Sequence, residues 1–461
     1  MPRPPATRDQ VDAYRYGLRR MESALVRGDG VPLHEGLRSQ RRAAFAGMLL
    51  ALLALCGVAV HAALFPAKDW RQQALVVGAG SGAMYAVGQD PLRLVPVANA
   101  AAGRLVLAAL GVAGGARAVP VTVADDDIAT APRTATAAVP GAFGVRPEGP
   151  GAPARWAVCD TVATDGRIRL VGTTVVAGAA PAGPAGPGPA VLVRAAGDAY
   201  YAVVDGRRYR VDVTDRALLD GLEVDVATAR PAGDGLVSAI PEGPVLARPA
   251  LPAGPPPAAL SAQVGDVLTA GDRRYVVLPG AVQEVPQLLA RVLAASAGRV
   301  PVEVSDATVA AVPRTTRLRV DGWPAPPTGW AKPAETPVLC WNWAPDGSGV
   351  AARGTLPVPA GAATVDLAQA DGAGGRVDSV VIGTGAGGPV RASAPGRPAG
   401  TGTLWLISTT GVVYGVASDA TATALGVGRA EPAPEAALRL LPPGPALDVA
   451  AVTRVVDVPA G

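Results

Sequence analysis

Side chains able to act as bases, nucleophiles or metal ligands are few in this chain. Histidine occurs twice, at His34 and His61, and lysine twice, at Lys68 and Lys332, although Lys and Arg together number 41. A hydroxyl or thiol nucleophile needs a base beside it, most often His, and both His lie near the N-terminus. A P-loop needs Gly-Lys followed by Ser or Thr; neither Lys follows Gly, so no loop of that kind is present. Glycine-rich stretches occur at 78–82 (GAGSG) and 383–388 (GTGAGG). They lack the strand-to-helix flanks and the later acid of a dinucleotide site, and read as loops in a chain with 57 Gly. Asp125, Asp126 and Asp127 could gather round a cation, or one of them could cap the helical turn that follows. Trp341 and Trp343 flank Asn342 beside Cys340, which suits packing on a disulfide or stacking on a sugar. No catalytic, cofactor-binding or metal residue is assigned.

These sparse groups must be positioned by a chain of 461 residues with 49% hydrophobic, 4% aromatic and 17% charged residues. Such a composition builds its core from Ala and Val and excludes a largely disordered protein. A net charge of +3 over this length excludes a dedicated nucleic-acid binder. Residues 43–65 (AAFAGMLLALLALCGVAVHAALF) carry no formal charge. As a helix they would reach ~35 Å, enough for a hydrocarbon layer of ~30 Å with some tilt. The preceding 42 residues hold nine Arg against five acids, and Arg27, Arg38, Arg41 and Arg42 fall close to the span. The positive-inside rule puts this end in the cytoplasm and residues 66–461 outside. A cleaved signal peptide is the alternative; the leading segment and the apolar run are both too long for one.

Within the cytoplasmic segment, Val11, Tyr14, Leu18, Met21 and Leu25 recur at spacings of three and four, one stripe of a helix. An isolated helix cannot bury its own stripe, so this one needs a partner protein or the membrane surface. Of three cysteines, Cys56 sits inside the span. Cys159 and Cys340 alone lie outside, where disulfides persist. They read as a bridge, with two separately buried thiols as the alternative.

The outer region reads as short strands between turns, for example 74–77, 167–171, 190–193, 200–204, 275–278 and 403–407. A unit of strand, Gly-containing turn, Tyr-bearing strand and small helix recurs around Tyr85, Tyr200, Tyr275 and Tyr414, with helices expected at 99–107, 217–222 and 285–294. The fold expected is α+β. A cytoplasmic docking segment (1–42) and one transmembrane helix (43–65) precede an elongated outer region of four small α/β repeats around a central, mostly β core. The repeats are placed at 70–115, 190–246, 260–305 and 401–440. The core is placed at 116–176 and 306–390, each part carrying one Cys, and 441–461 returns to the first repeat. Pro/Gly-rich linkers fall at 177–189, 248–257 and 383–400.

RRMESALVRGDGVPLHEGLRSQRRA (19–43) directly before a single span resembles the EccB component of actinobacterial type VII (ESX) secretion systems. So do SGAMYAV (81–87), PVANAAAGRLVL (96–107), WAVCD (156–160), VLCWNW (338–343), AIPEGPVLARPALP (239–252), YVVLPGAVQEVPQLLARVL (275–293) and LPPGPALDVAAV (441–452). Where that family's first repeat carries His-Pro-Val and Asn-Leu-Ala-Ser runs, this chain has Leu94-Val95-Pro96-Val97 and Asn99-Ala-Ala-Ala. The resemblance implies a structural, single-pass subunit that scaffolds an inner-membrane secretion channel and supplies its periplasmic platform. It implies self-association and partners in the motor ATPase EccC, EccD, EccE and the mycosin protease, and no nucleic acid. Some members of the family are labelled ATPases. ATP is the one cofactor the resemblance would suggest, and no residue here supports it. A nucleotide hydrolase and a cell-wall-binding module are the alternatives to the scaffold.

Overall fold

The computed structural model describes residues 7–28, 33–64, 68–134, 136–137, 142–149, 154–178, 189–372, 375–383, 387–453 and 455–456. It divides into two compact units, Met1–Asp69 and Trp70–Gly461.

In the first unit, helix α1 (Arg8–Arg27) starts from a capping box. The Thr7 hydroxyl accepts the Gln10 N–H and the Gln10 side chain accepts the Thr7 N–H, so two end groups are satisfied at once. Gly28 closes the helix in the left-handed conformation, which glycine adopts without a Cβ clash. Helix α2 runs unbroken from Leu33 to Leu64. Within it Gln40–His61 is long and apolar enough to cross a membrane. The helix thus begins ten residues before the span expected at 43, so Arg41 and Arg42 share it. Phe65, the expected last residue of the span, and the side chains of Arg27 and Arg38 lie outside the described part.

The second unit contains four small sheets of one design: an antiparallel three-strand meander, a helix, then a fourth strand parallel to the first. Module 1 has strands Leu75–Gly78, Met84–Gln89, Leu92–Val97 and Val121–Val123 with helix Ala100–Ala109. Module 2 has Val191–Arg194, Tyr200–Val204, Arg207–Val211 and Arg230–Pro231 with helix Arg216–Leu222. Module 3 has Val267–Ala270, Arg273–Leu278, Ala281–Glu284 and Val302–Glu303 with helix Gln287–Ala297. Module 4 has Pro389–Ser393, Leu404–Ile407, Val413–Gly415 and Glu431–Pro434 with helix Asp419–Leu425. In every module a later proline segment then docks on the third strand. The N–H groups of Leu94, Arg208, Val282 and Val413 donate to the carbonyls of Pro132, Pro241, Pro313 and Pro442 at 2.8–3.0 Å. Proline's missing donor costs nothing at an edge.

The modules alternate in kind. In 1 and 3 a Pro-Arg-Thr segment sends Arg133 and Arg314 over the rings of Tyr85 and Tyr275, at 5.3 and 5.6 Å. In 2 and 4 the segment is Pro-x-Gly-Pro, and Gly243 and Gly444 lie directly under the rings of Tyr209 and Tyr414, where a Cβ would come within 2.4 Å. Tyr414 therefore stands on a third strand, whereas Tyr85, Tyr200 and Tyr275 stand on second strands, so the four Tyr do not occupy equivalent places in the repeat.

A six-stranded sheet lies between the modules. Its order is Gly347–Arg353, Val338–Ala344, Trp156–Ala163, Arg169–Ala177, Ser379–Ile382, Thr364–Asp366. Several expected boundaries move. Val121–Val123 belongs to module 1 and Pro389–Ser393 to module 4 rather than to the core. The segment after 441 first pairs with module 4 through Pro443 and Leu447. Only then does it reach module 1, where Leu447 and Val449 pack with Leu105 and Val106 and Val455–Val456 pairs with Thr136–Ala137.

Module 2 pairs with module 3, its neighbour in the chain, and module 1 with the distant module 4. Leu288 and Val292 of module 3 enter the cluster of Leu218 and Leu222 of module 2. Ala424 and Leu425 of module 4 join Leu105 and Val106 of module 1. At equivalent places in the helices of modules 1 and 3, Arg104 and Arg291 reach the C-terminal end of the partner helix. Arg104 donates to the Leu425 carbonyl at 3.2 Å, and Arg291 pairs with Glu223 at 3.4 Å. The chain is in effect module, hairpin, module, twice over.

Candidate assembly surface and the disulfide core

The stripe on α1 lies open. Val11, Tyr14, Leu18, Met21 and Leu25 are all exposed, from 38% at Val11 to 87% at Leu25. No other part of the described chain covers this apolar face. Arg41 and Arg42 are exposed on α2.

Cys159 and Cys340 form a disulfide. They are direct cross-strand partners on the second and third strands of the six-stranded sheet, and both are fully buried. Side chains alternate between the faces of a strand. Cys159 and Cys340 therefore pack with Ala157, Val176, Val338 and Val381 on one face. Trp156 and Trp341 belong to the cluster on the other face, with Trp343 packed against it. The expected stacking of Trp341 and Trp343 on the bridge is thus corrected by the period of two: residues 340 and 341 cannot share a face.

The glycine-rich loop at 78–82 has an occupant from its own chain. Gly80 and Ser81 donate their N–H groups to Asp125 Oδ2 at 2.6 and 3.2 Å, and the Ser81 hydroxyl donates to Oδ1 at 2.6 Å. These bonds, the hydroxyl's first, hold the Asp125 carboxyl below the usual carboxylate range. A cradle of N–H groups that could face a phosphate is filled by a carboxylate. Asp125 lies in the short helix Asp125–Ile128, whose N-cap is Ala124, so it neither caps that turn nor joins Asp126 and Asp127 around a cation. Residues 384–386 of the second glycine-rich stretch lie outside the described residues.

Two polar sites escaped the sequence reading. Buried Arg104 donates Nη1 to Glu148 Oε2 at 2.6 Å and Nε to the Ala118 carbonyl at 3.2 Å. The Arg104 hydrogen bond draws the Glu148 carboxyl below its ordinary value. Asp160 is 2% exposed; burial pushes its carboxyl up to about 7. An Arg inside an apolar helix pattern and an Asp inside a strand of apolar neighbours are the signals both left in the sequence.

Comparison with known proteins agrees with this architecture. A family model described as the type VII secretion system ESX-1 transport transmembrane domain B matches residues 3–460. The ESX-3 secretion system ATPase EccB3 of Mycobacterium tuberculosis (strain H37Rv) is 31% identical, covering 96% of this chain and 88% of that protein. The ESX-5 secretion system ATPase EccB5 of the same strain is 33% identical, covering 96% and 92%. A chain in the structure of an intact ESX-5 inner membrane complex superposes with a TM-score of 0.68 at 30% identity, covering 99% of this chain and 97% of that one. The EccB3 dimer from the ESX-3 core complex gives 0.67 at 26%, covering 84% and 100%. With residues 3–460 matched by that model, the chain belongs to the EccB family of type VII secretion-system membrane proteins.

Proposed function

We propose that this chain is a structural, single-pass subunit of a type VII inner-membrane secretion complex. Helix α1 and the arginines at 27, 38, 41 and 42 lie in the cytoplasm, α2 spans the membrane, and the unit from Trp70 stands outside as a platform. The observation that carries the reading is the exposed stripe on α1. A capped helix with an open apolar face beside a lone span is a handle for other subunits. Its partners would be EccC, EccD, EccE and the mycosin protease, together with further copies of the chain. The outer unit, with a sealed core and a loop already holding its own carboxylate, supports a platform more than a catalyst.

Removal of residues 1–28, or Leu18→Asp with Met21→Asp on an otherwise intact helix, should release the protein from the detergent-solubilised complex. Unchanged co-purification of the other subunits would overturn the reading. The names of the similar proteins include the word ATPase, which favours nucleotide hydrolysis as a second reading. Saturable ATP turnover by the purified full chain, lost on a point substitution, would support it against the scaffold.

A further inference from the structure

The stripe on α1 keeps a stricter period than an amphipathic face requires. Val11, Leu18 and Leu25 are seven residues apart, and Tyr14 and Met21 follow the first two of them by three. These are the a and d positions of a heptad, the spacing of a helix that pairs along a seam. Arg15 and Glu22 follow the two d residues on one flank of the seam, and Gly17 and Ala24 precede two a residues on the other. Arg15, Glu22 and Ala24 are exposed and Gly17 is half-buried; a Cβ built on Gly17 meets nothing within 4 Å. Arg15 and Glu22 stand two turns apart, about 10 Å along the axis, so they do not pair within one helix. Charge decides the partner and its direction. In a parallel pair of α1 helices, flank e faces flank g, which sets Arg15 against Gln10 and Glu22 against Gly17, and no opposite charges meet. In an antiparallel pair, a residues layer with d residues, so e faces e and g faces g. With Leu18 opposite Met21 and Tyr14 opposite Leu25, Arg15 of one copy and Glu22 of the other fall between the same two layers. Gly17 and Ala24 do likewise on the other flank, where small residues let the helices approach. The twofold axis makes each contact twice. A slip of one heptad either way sets Arg15 on Arg15 or Glu22 on Glu22, so the charges also fix the register.

We propose that the apolar stripe on α1 is covered by α1 of a second copy of the chain, packed antiparallel in this register. The inference rests on the reading of α1 as a docking handle and names what docks there. A seam this short is marginal between free helices, but copies held in one membrane complex meet at high effective concentration. The two chains leave the pair at opposite ends, about 30 Å apart for helices of 20 residues, so their spans need not touch.

The test is disulfide trapping of the full chain in the detergent-solubilised complex, with Cys56→Ser so that the introduced thiol is the only free one. Two differently tagged chains are expressed together, one carrying Tyr14→Cys and the other Leu25→Cys. Mild oxidation should join the two tags. Two chains that both carry Leu25→Cys should stay apart, whereas a parallel pair would join them. Arg15→Glu in both chains, or Glu22→Arg in both, replaces two attractive pairs by two repulsive ones and should lower the yield at limiting oxidant about tenfold. Arg15→Glu on one chain and Glu22→Arg on the other should restore it, because an acidic flank then faces a basic one. No bond between the Tyr14→Cys and Leu25→Cys chains, a bond between two Leu25→Cys chains, or a yield indifferent to the charge exchanges would overturn the proposal. The handle reading fails separately, if Leu18→Asp with Met21→Asp leaves the other subunits bound. Loss of those subunits with no trapped pair would keep the handle, overturn this pairing and give the stripe to another subunit.

Discussion

Gly221 decides how closely modules 2 and 3 approach. It lies in helix Arg216–Leu222, and a Cβ built there would sit 2.5 Å from Val292 Cα, 2.6 Å from its Cγ2 and 2.7 Å from its N. Two of these three atoms are backbone, so no rotamer change relieves the overlap. Restoring ordinary contact at ~3.5 Å requires the two helices to part by about 1 Å. That separation strips contacts from Leu218, Leu222, Leu288 and Val292, all buried in one cluster. Overpacking of this kind costs about 3 kcal/mol at the upper end of its range. Against it stands a helix-propensity gain of about 1 kcal/mol for Ala over Gly. Gly221→Ala should therefore destabilise by about 2 kcal/mol. The chain has seven Trp, all within Trp70–Gly461, so tryptophan fluorescence during heating reports on this unit alone. An unfolding entropy of roughly 2.1 cal/mol/K per residue over about 390 residues converts the loss to a Tm lower by about 2–3 °C. Gly17→Ala is the control: it lies in α1 with nothing within 4 Å, so its propensity gain should leave the Tm of the outer unit unchanged. An unchanged or raised Tm for Gly221→Ala would refute the close-approach argument.

Arg104→Ala and Arg291→Ala should differ although they occupy equivalent places. The first strands the buried Leu425 and Ala118 carbonyls and should cost about 2–3 kcal/mol; the second removes a half-exposed ion pair and should cost under about 1 kcal/mol, both read from thermal unfolding. Asp125→Asn keeps one oxygen for the Gly80 and Ser81 amides but removes the negative charge they face, which weakens both bonds, so these amides should exchange faster with solvent. Because the Asp125 carboxyl is held below its ordinary value of 3.8, its contribution is present above that pH and lost as pH falls through the lower folded value. Exchange at Gly80 and Ser81 that is insensitive to acid would contradict this.

The sequence revealed what rests on local periodicity. The stripe on α1, the span and the helices near 100, 217 and 287 follow from spacing. At Asp205-Gly206 both positions take positive φ, 47° and 74°, a local conformation that the Asp-Gly pair suits. What escaped depends on pairing across long separations. The carbonyls of Pro132 and Pro313 serve as edge acceptors only once the third strands are in place. Pro389–Ser393 follows a glycine-rich stretch and so looked like linker and core end, but it is the first strand of module 4. The loop at 78–82 looked empty because Asp125, its occupant, is 44 residues or more away.

The same non-local pairing explains why a bridge belongs where it is. Modules 1 and 2 are neighbours in sequence, yet each buries its helix against the other half of the chain, module 1 against module 4 and module 2 against module 3. Arg104 meets Leu425 across 321 residues. Contacts at such separation repay loop-closure entropy only after the intervening chain is ordered. The two halves also meet where strand Val338–Ala344 pairs with Trp156–Ala163, and Cys159 and Cys340, 181 residues apart, join them there. In the chain-entropy model a bridge over so long a loop removes about 5 kcal/mol of freedom from the unfolded chain. A crosslink within one half would leave the closure of module 1 on module 4 as costly as before. A crosslink between these two strands lowers the cost of both cross-half pairings, because each half is then held beside the partner it must bury against.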